Sequence, residues 1–183
     1  MSGTLEGLRI AVLATDGVEE VELVEPRAAV EREGATTELV SLARGEVQAM
    51  NGDIEPAGTH PVDKLVADVA ATDYDAVIMP GGTVNADRLR MDADVLRFVK
   101  DAFTAELPVA AICHAPWTLV EAEVLDGRKL TSFPSLRTDL RNAGAFPVDE
   151  QVVVDGPLVT SRNPDDLPAF CERIVQEFAA VRT

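Results

Sequence analysis

The chain has 183 residues, 46% of them hydrophobic, which predicts a folded protein with a sizeable core rather than a disordered one. Asp and Glu total 32 against 16 Lys and Arg, and the formal net charge of −16 disfavours nucleic acid and anionic membranes as partners. No apolar run approaches the roughly 20 residues of a membrane span. The first residues contain neither a basic segment nor the hydrophobic core of a signal peptide, so we expect a cytoplasmic protein.

Strands and helices alternate along the first half of the chain. Apolar runs are followed by amphipathic stretches, and glycines or an Asn-Gly pair separate them. The predicted elements are a strand at Leu8–Ala14, a helix at Glu20–Glu33 bent or interrupted at Pro26, a strand at Thr37–Leu42, a small β excursion at Glu46–Pro61 and a helix at Val62–Ala71.

The second half continues the alternation and ends with a hairpin and a helix. The Asp155-Gly156 pair is a strong signal for a hairpin turn. The predicted elements are a strand at Asp75–Met79, a helix at Asp92–Ala105, a strand at Val109–Ile112 with a helix after it, a hairpin of Gln151–Val154 with Leu158–Ser161, and a helix at Asp165–Ala180. This pattern predicts one α/β domain over residues 1–183, with a doubly wound, mostly parallel sheet sandwiched by helices, as in flavodoxin-like folds.

The distribution of the charged residues gives an indication of the solvent conditions in which the protein works. The acids are spread along the whole chain, whereas lysine occurs only at positions 64, 100 and 129. Such a surface is typical of proteins that work in concentrated salt, where screening weakens self-repulsion. We therefore expect a salt-adapted protein, with an ordinary acidic cytosolic protein as the alternative.

The segment Pro-Val-Ala-Ala-Ile-Cys-His-Ala-Pro-Trp at residues 108–117 is the most informative in the chain. The buried strand ends at Ile112 and a helix opens near Pro116, so Cys113 falls at a sharp strand-to-helix turn, where α/β enzymes present a nucleophile. A helix N-terminus favours the thiolate, so we expect Cys113 to have a depressed pKa. The alternative is a core cysteine, because free Cys is among the most buried residue types.

Five segments carry a resemblance to a known family: Val18–Leu23, Met79–Gly82, Asp87–Arg90, Ala111–Pro116 and Val159–Pro168. In this order and spacing they resemble the PfpI family, within the superfamily named after the parkinsonism-associated deglycase. The resemblance covers nearly the whole chain, from about Leu8 to Phe178. It implies a class I glutamine amidotransferase-like fold with a cysteine at the nucleophile elbow, and assembly as a homo-oligomer, either a dimer or a hexamer-type assembly.

The resemblance also implies roles for three side chains around Cys113. His114 is the catalytic histidine, and Glu19 hydrogen-bonds the cysteine and tunes its ionisation. Because two ionised groups that close would repel, we expect a partly protonated pair. Asp87 matches the acid that completes a Cys-His-acid triad from a neighbouring subunit. For Glu19 and Asp87 the alternative is an acid in the first turn of a helix, stabilised by the helix dipole.

Gly81 and Gly82 follow directly on the strand at Asp75–Met79. Their N–H groups can hold a developing oxyanion together with the amide of His114, the alternative being a plain loop turn. His60, the second histidine, is expected to be a solvated loop residue. The histidines and cysteines are too widely separated for a zinc site and no nucleotide fingerprint is present, so we expect neither metal nor cofactor.

Three classes of function follow from the resemblance. The first is a cofactor-independent cysteine enzyme of the glyoxalase or deglycase type, acting on small reactive carbonyls or their protein adducts in stress protection. The second is an intracellular cysteine peptidase with a Cys-His-Asp triad. The third is a non-enzymatic chaperone or redox sensor, in which Cys113 is oxidised to a sulfinic acid. The small pocket expected at the elbow favours the first class by analogy of fold.

Overall fold

The computed structural model describes residues 3–182, in which strands and helices alternate. The strands are β1 (Arg9–Leu13), β2 (Thr36–Ser41), β3 (Glu46–Asn51), β4 (Glu55–Pro61), β5 (Lys64–Leu65), β6 (Ala76–Met79), β7 (Val109–Ile112), β8 (Lys129–Leu130), β9 (Phe146–Pro147), β10 (Val152–Asp155) and β11 (Leu158–Ser161). The α-helices are α1 (Glu20–Arg32), α2 (Thr83–Leu89), α3 (Ala93–Thr104), α4 (Pro116–Glu121), α5 (Arg137–Asn142) and α6 (Leu167–Ala179).

A seven-stranded sheet in the order β10-β11-β7-β6-β1-β2-β5 forms the centre of the molecule. Every neighbouring pair is parallel except β10 and β11, which are antiparallel. Counted in chain order, β1, β2, β6, β7 and β11 are arranged 2-1-3-4-5, the order of flavodoxin-like sheets. The prediction of a doubly wound, mostly parallel α/β sheet is therefore confirmed.

Both faces of the sheet are buried under helices. Successive residues of a strand point to opposite faces, so neighbouring residues pack in different layers. In β1, Ala11 and Leu13 pack with residues of α3, α4 and α5, whereas Ile10 and Val12 pack with residues of α1 and α6. The central strands are consequently apolar along their whole length, as expected for parallel strands covered on both sides.

The carboxyl ends of β1, β6 and β7 meet at one edge of the sheet, because these strands are parallel neighbours. The loops that follow them carry residues 14–19, residues 80–82 and Cys113. Ligands bind at this edge in open α/β sheets, so the fold brings these three loops together at the position expected for a functional site.

Among the predicted elements, the hairpin and the last helix form as expected, whereas one predicted helix does not. The hairpin of β10 and β11 forms around Asp155 and Gly156. The last helix, α6, follows directly on a 3₁₀ turn at Pro164–Asp166, which Asn163 caps by accepting the Asp165 N–H at 3.0 Å. The helix predicted at Val62–Ala71 is absent, because this segment forms edge strand β5 and the 3₁₀ turn at Val66–Asp68.

Helix α1 is continuous through Pro26, where the sequence indicated a bend or an interruption. Across residues 3–182, no helix has the length and apolar character needed to cross a membrane.

Candidate active site

Cys113 lies at the turn between β7 and α4, with a backbone φ of 63°. A side chain in this left-handed region is strained and is retained only where surrounding contacts hold it. Here the Cys113 N–H donates to the Ser161 carbonyl at 3.1 Å, and the Cys113 carbonyl accepts the Phe133 N–H at 2.9 Å. The backbone is thus fixed on both sides of the nucleophile elbow, and the side chain is buried.

His114 places its imidazole directly against the cysteine. Its Nδ1 lies 3.1 Å from the Cys113 Sγ, and the ring stacks on Phe133 with centroids 4.5 Å apart. The edge of Trp117 packs against the same ring. Burial lowers the pKa of His114, so the imidazole is neutral at neutral pH and Nδ1 can accept a proton from the thiol.

Glu22, rather than Glu19, is the carboxyl beside the cysteine. It is fully buried in the first turn of α1, where its Oε2 accepts the Gly81 N–H at 2.8 Å and its carboxyl lies beside the Cys113 thiol. Burial raises the pKa of Glu22 from 4.5 to about 8, and the nearby charge of Glu19 adds to this shift. Glu22 therefore carries a proton at neutral pH.

The expectation that Glu19 hydrogen-bonds Cys113 is wrong. Glu19 precedes α1, and its Oε1 accepts the Gly52 N–H at 3.0 Å from the turn between β3 and β4. A sequence signal for the correct residue exists, because Glu22, Pro26 and Ala29 recur at helical spacing on the buried face of α1.

The expected acidity of the Cys113 thiol is also corrected. Burial raises the pKa of this thiol, and Glu22 adds to the increase once it is ionised, whereas the amides of Gly82 and His114 act in the opposite direction. The helix that follows is only six residues long. The resting cysteine is therefore a thiol, and its activation requires transfer of the proton.

Of the two glycines expected to form an oxyanion hole, only Gly82 presents its amide to the site. The Gly81 N–H is used by Glu22, so it is not free to bind an oxyanion, and that part of the expectation is wrong. The amides of Gly82 and His114 point at the Cys113 sulfur and are the donors available to a charge developing there.

Two polar residues outside every sequence motif complete the surroundings of His114. The Thr83 Oγ1 lies 3.4 Å from the His114 Nε2, and the exposed Ser135 hydroxyl lies 3.5 Å from the same nitrogen. Thr83 in turn donates its N–H and its hydroxyl to the carboxylate of Asp53. No motif marks Asp53, since it follows an Asn-Gly pair that indicates only a turn.

Asp87 and His60 lie apart from this cluster of contacts. Asp87 is exposed on α2 and has no hydrogen bond to His114 in the same chain. His60 is a half-buried residue of β4, with its Nε2 2.9 Å from the Glu20 Oε2, and not the solvated loop residue that was expected. In the described part of the chain, no three His, Cys, Asp or Glu side chains are grouped so that they could hold a metal ion.

The fold and the site together define a flavodoxin-like α/β protein with a buried cysteine at a nucleophile elbow, flanked by a neutral histidine and a protonated glutamic acid. Residues 8–177 match the sequence model of the DJ-1/PfpI family. The chain belongs to this family.

Relatives and solved structures agree with this assignment. General stress protein 18 of Bacillus subtilis is 42% identical over 166 residues, which cover 90% of this chain and 94% of that protein. A protein of Thermococcus kodakarensis named as a deglycase is 36% identical over 169 residues, covering 92% and 98% of the two chains. The crystal structure of Drosophila melanogaster DJ-1beta has a TM-score of 0.84 and 30% identity, covering 98% of this chain and 91% of that one.

Proposed function

We propose that this protein is a cofactor-independent cysteine enzyme that converts small α-oxoaldehydes, or their adducts on proteins, to hydroxy acids. The observation that carries the proposal is the placement of the Cys113 Sγ 3.1 Å from the His114 Nδ1 and beside the protonated Glu22. These groups supply a nucleophile, a base and an acid within one buried site.

The first step is addition of the thiol to the aldehyde carbon. As sulfur bonds to carbon, the thiol proton moves to the neutral His114 Nδ1, and the proton held by Glu22 moves to the carbonyl oxygen. The product is a hemithioacetal of Cys113. The amides of Gly82 and His114 stabilise the negative charge that develops on the sulfur as the thiol loses its proton.

The second step moves hydrogen within the substrate. Glu22, now a carboxylate, removes the proton from the former aldehyde carbon, and a proton is returned to the neighbouring carbonyl carbon through an enediol. The resulting thioester is hydrolysed by water, which releases the hydroxy acid and restores the thiol. Methylglyoxal plus one water gives lactate, so the reaction balances without an oxidant or a reductant.

The relatives support this proposal at the level of their names, one being a deglycase and one a general stress protein. A role in protection against reactive carbonyls fits both names. The buried position of Cys113 further favours a small electrophile over a folded polypeptide, since the residue is only 7% exposed.

The direct test is formation of lactate from methylglyoxal by the purified protein. We expect Cys113→Ser to abolish turnover while its circular dichroism and melting temperature stay close to those of the wild type. Cys171→Ser is the matched control, because Cys171 is the other cysteine of the chain and lies in α6. Full activity of Cys113→Ser would disprove the proposed mechanism.

A peptidase with a Cys113–His114–Asp87 triad is the second candidate. Because Asp87 is exposed and does not contact His114 in its own chain, this candidate requires a homo-oligomer in which a second copy supplies the acid. Mixing Cys113→Ser with Asp87→Ala subunits would then restore some intact sites and some cleavage of a peptide substrate. Confirmed exchange of subunits without restored cleavage would reject the triad.

A further inference from the structure

The turn between β3 and β4 reaches across to the start of α2. Asp53 sits in this turn with a φ of 66°, and its Oδ1 accepts the Thr83 N–H at 2.8 Å. Its Oδ2 accepts the Thr83 hydroxyl at 2.7 Å, and the same hydroxyl oxygen lies 3.4 Å from the His114 Nε2. A continuous line of polar contacts therefore joins Asp53 to the catalytic histidine.

The direction of each hydrogen bond in this line follows from the number of protons. A hydroxyl group has one proton, and the Thr83 hydroxyl gives it to the Asp53 carboxylate, which has none to give. The Thr83 oxygen can then only accept, so it faces an N–H at the His114 Nε2. This arrangement leaves the Nδ1 of the neutral ring without a proton, and Nδ1 is the atom that faces the Cys113 sulfur.

We propose that Asp53, acting through the Thr83 hydroxyl, is the acidic residue that orients His114 and supports its protonated form, and that both are supplied by the same chain. The proposal deepens the proposed function and rests on it for the role of His114 as the base. When the thiol proton moves to Nδ1, the Nε2–H remains hydrogen-bonded to Thr83, and the charge of Asp53 stabilises the imidazolium. Thr83 and Asp53 are positioning residues, since neither contacts the reacting sulfur.

The position of Asp53 is fixed by the elements that carry it. The Gly52 N–H donates to the Glu19 Oε1, and the Met50 N–H donates to the Val18 carbonyl at 2.8 Å. These bonds fasten the β3–β4 turn to the loop before α1, at the same edge of the sheet as Cys113. Glu19 therefore has a structural role, because its carboxylate holds the turn on which Asp53 lies.

The negative charge of Asp53 influences the pKa of His114. Asp53 raises the pKa of His114 against the larger lowering caused by burial. The Cys113 thiol contacts the ring from the elbow, and Glu22 of α1 lies beside that thiol. A purely structural role for Asp53, as a cap of the start of α2, would need only the bond from the Thr83 N–H.

The experiment separates the two roles by removing the hydroxyl and keeping the cap. In a Cys171→Ser background, where Cys113 is the only thiol, the rate of alkylation by iodoacetamide is measured at pH 7. Thr83→Val keeps the N–H bond to Asp53 but loses the hydroxyl that links Asp53 to His114, a link that we call the relay. Thr83→Ser keeps both the N–H bond and the relay. Asp53→Asn removes the negative charge, and asparagine tolerates the positive φ at this position. Glu55→Gln, two residues further along, is the matched control for a lost exposed carboxylate in the same hairpin.

We expect Thr83→Val and Asp53→Asn to alkylate about tenfold more slowly, the size expected for loss of a hydrogen bond to a charged group. Thr83→Ser and Glu55→Gln should stay within about twofold of the background protein. Nitrogen-15 spectra of the imidazoles provide a second readout, and His60→Gln assigns them because the chain has only two histidines. The Nε2–H form of His114 should lose population in Thr83→Val. An unchanged rate and tautomer in that variant would overturn the relay.

These readouts do not depend on turnover, so the two proposals can fail separately. Slower alkylation in Thr83→Val without any lactate from the wild-type protein would sustain the relay and reject the proposed function. Lactate formation at the same rate in the wild type and in Thr83→Val would sustain the function and reject the relay.

Discussion

The carboxyl of Glu22 lies on the inner side of α1, with no exposure to solvent. One of its oxygens accepts the Gly81 N–H, and the Cys113 thiol is its other neighbour in the site. Burying a carboxylate is unfavourable unless it is paired with a positive charge, and within residues 3–182 Glu22 forms no ion pair and no cation is among the main influences on its pKa. The group keeps its proton instead, which is what makes it useful as an acid.

The raised pKa of Glu22 predicts a particular dependence of stability on pH. The folded protein holds this proton up to a pKa of about 8, whereas the unfolded chain releases it near the ordinary value of 4.5. Between these values the folded state binds more protons, so this group makes the free energy of unfolding fall as pH rises, by up to about 1.4 kcal/mol per pH unit. Glu22→Gln removes this contribution.

Urea unfolding of the wild type and of Glu22→Gln at a series of pH values from 5 to 8 tests this. We expect the variant to gain stability relative to the wild type as pH increases. Glu19→Gln is the control, because it removes a half-buried carboxyl from the preceding turn and should keep most of the wild-type slope. Parallel curves for the wild type and Glu22→Gln would contradict a buried, protonated Glu22.

At the scale of elements, the site depends on close contact between the loop after β6 and the elbow after β7. A Cβ on Gly81 would lie 2.7 Å from the Cys113 Cβ and 2.8 Å from the Ile112 carbonyl oxygen. It would also meet the Glu22 carboxyl. Glycine is required at this position because there is no room for a Cβ atom. The absence of a side chain also lets the Glu22 carboxyl reach the Gly81 N–H.

Gly81→Ala should therefore displace Cys113 or Glu22. We expect it to lower the free energy of unfolding by about 1–3 kcal/mol, as overpacking does, and to alter the alkylation rate of Cys113. Gly127→Ala is the control, because a Cβ there meets nothing within 4 Å and only the positive φ of 75° opposes it. An alkylation rate that is unchanged in Gly81→Ala would show that the two loops are less tightly coupled than the structure indicates.

For the whole molecule, the dominant electrostatic feature is the excess of negative charge. The formal net charge is −16, and the ion pairs between described residues mostly join exposed side chains, which contribute little. Salt weakens both these pairs and the general repulsion, with a screening length of about 3 Å at 1 M. Because the acids outnumber the bases two to one, relief of repulsion is the larger effect.

The melting temperature should accordingly rise between low and molar potassium chloride. A variant carrying Glu6→Gln, Glu46→Gln and Glu55→Gln tests the cause, since all three glutamates are exposed. It should melt higher than the wild type at low salt and show a smaller rise. A melting temperature that stays constant or falls with salt would argue against salt adaptation.

The sheet and the elbow follow from local features of the sequence. Apolar strands, glycine punctuation and the Asp155-Gly156 turn are local features that specify local structure, and they correctly predicted a doubly wound sheet. The strand end at Ile112 also placed Cys113 at its turn, next to His114. The segment after β4 was mistaken for a helix because its role, as edge strand β5, is set by pairing with β2 rather than by its own residues.

Which side chains surround the cysteine, and how they ionise, depends on contacts between distant parts of the chain. Gly81 and Glu22 are 59 residues apart, and Thr83 and Asp53 are 30 apart, so their contacts arise where loops converge at one edge of the sheet. Burial, which raises the pKa of Glu22 and of the Cys113 thiol, is likewise a property of the packed molecule. Local patterns describe neighbours along the chain, whereas proton affinity depends on neighbours in space.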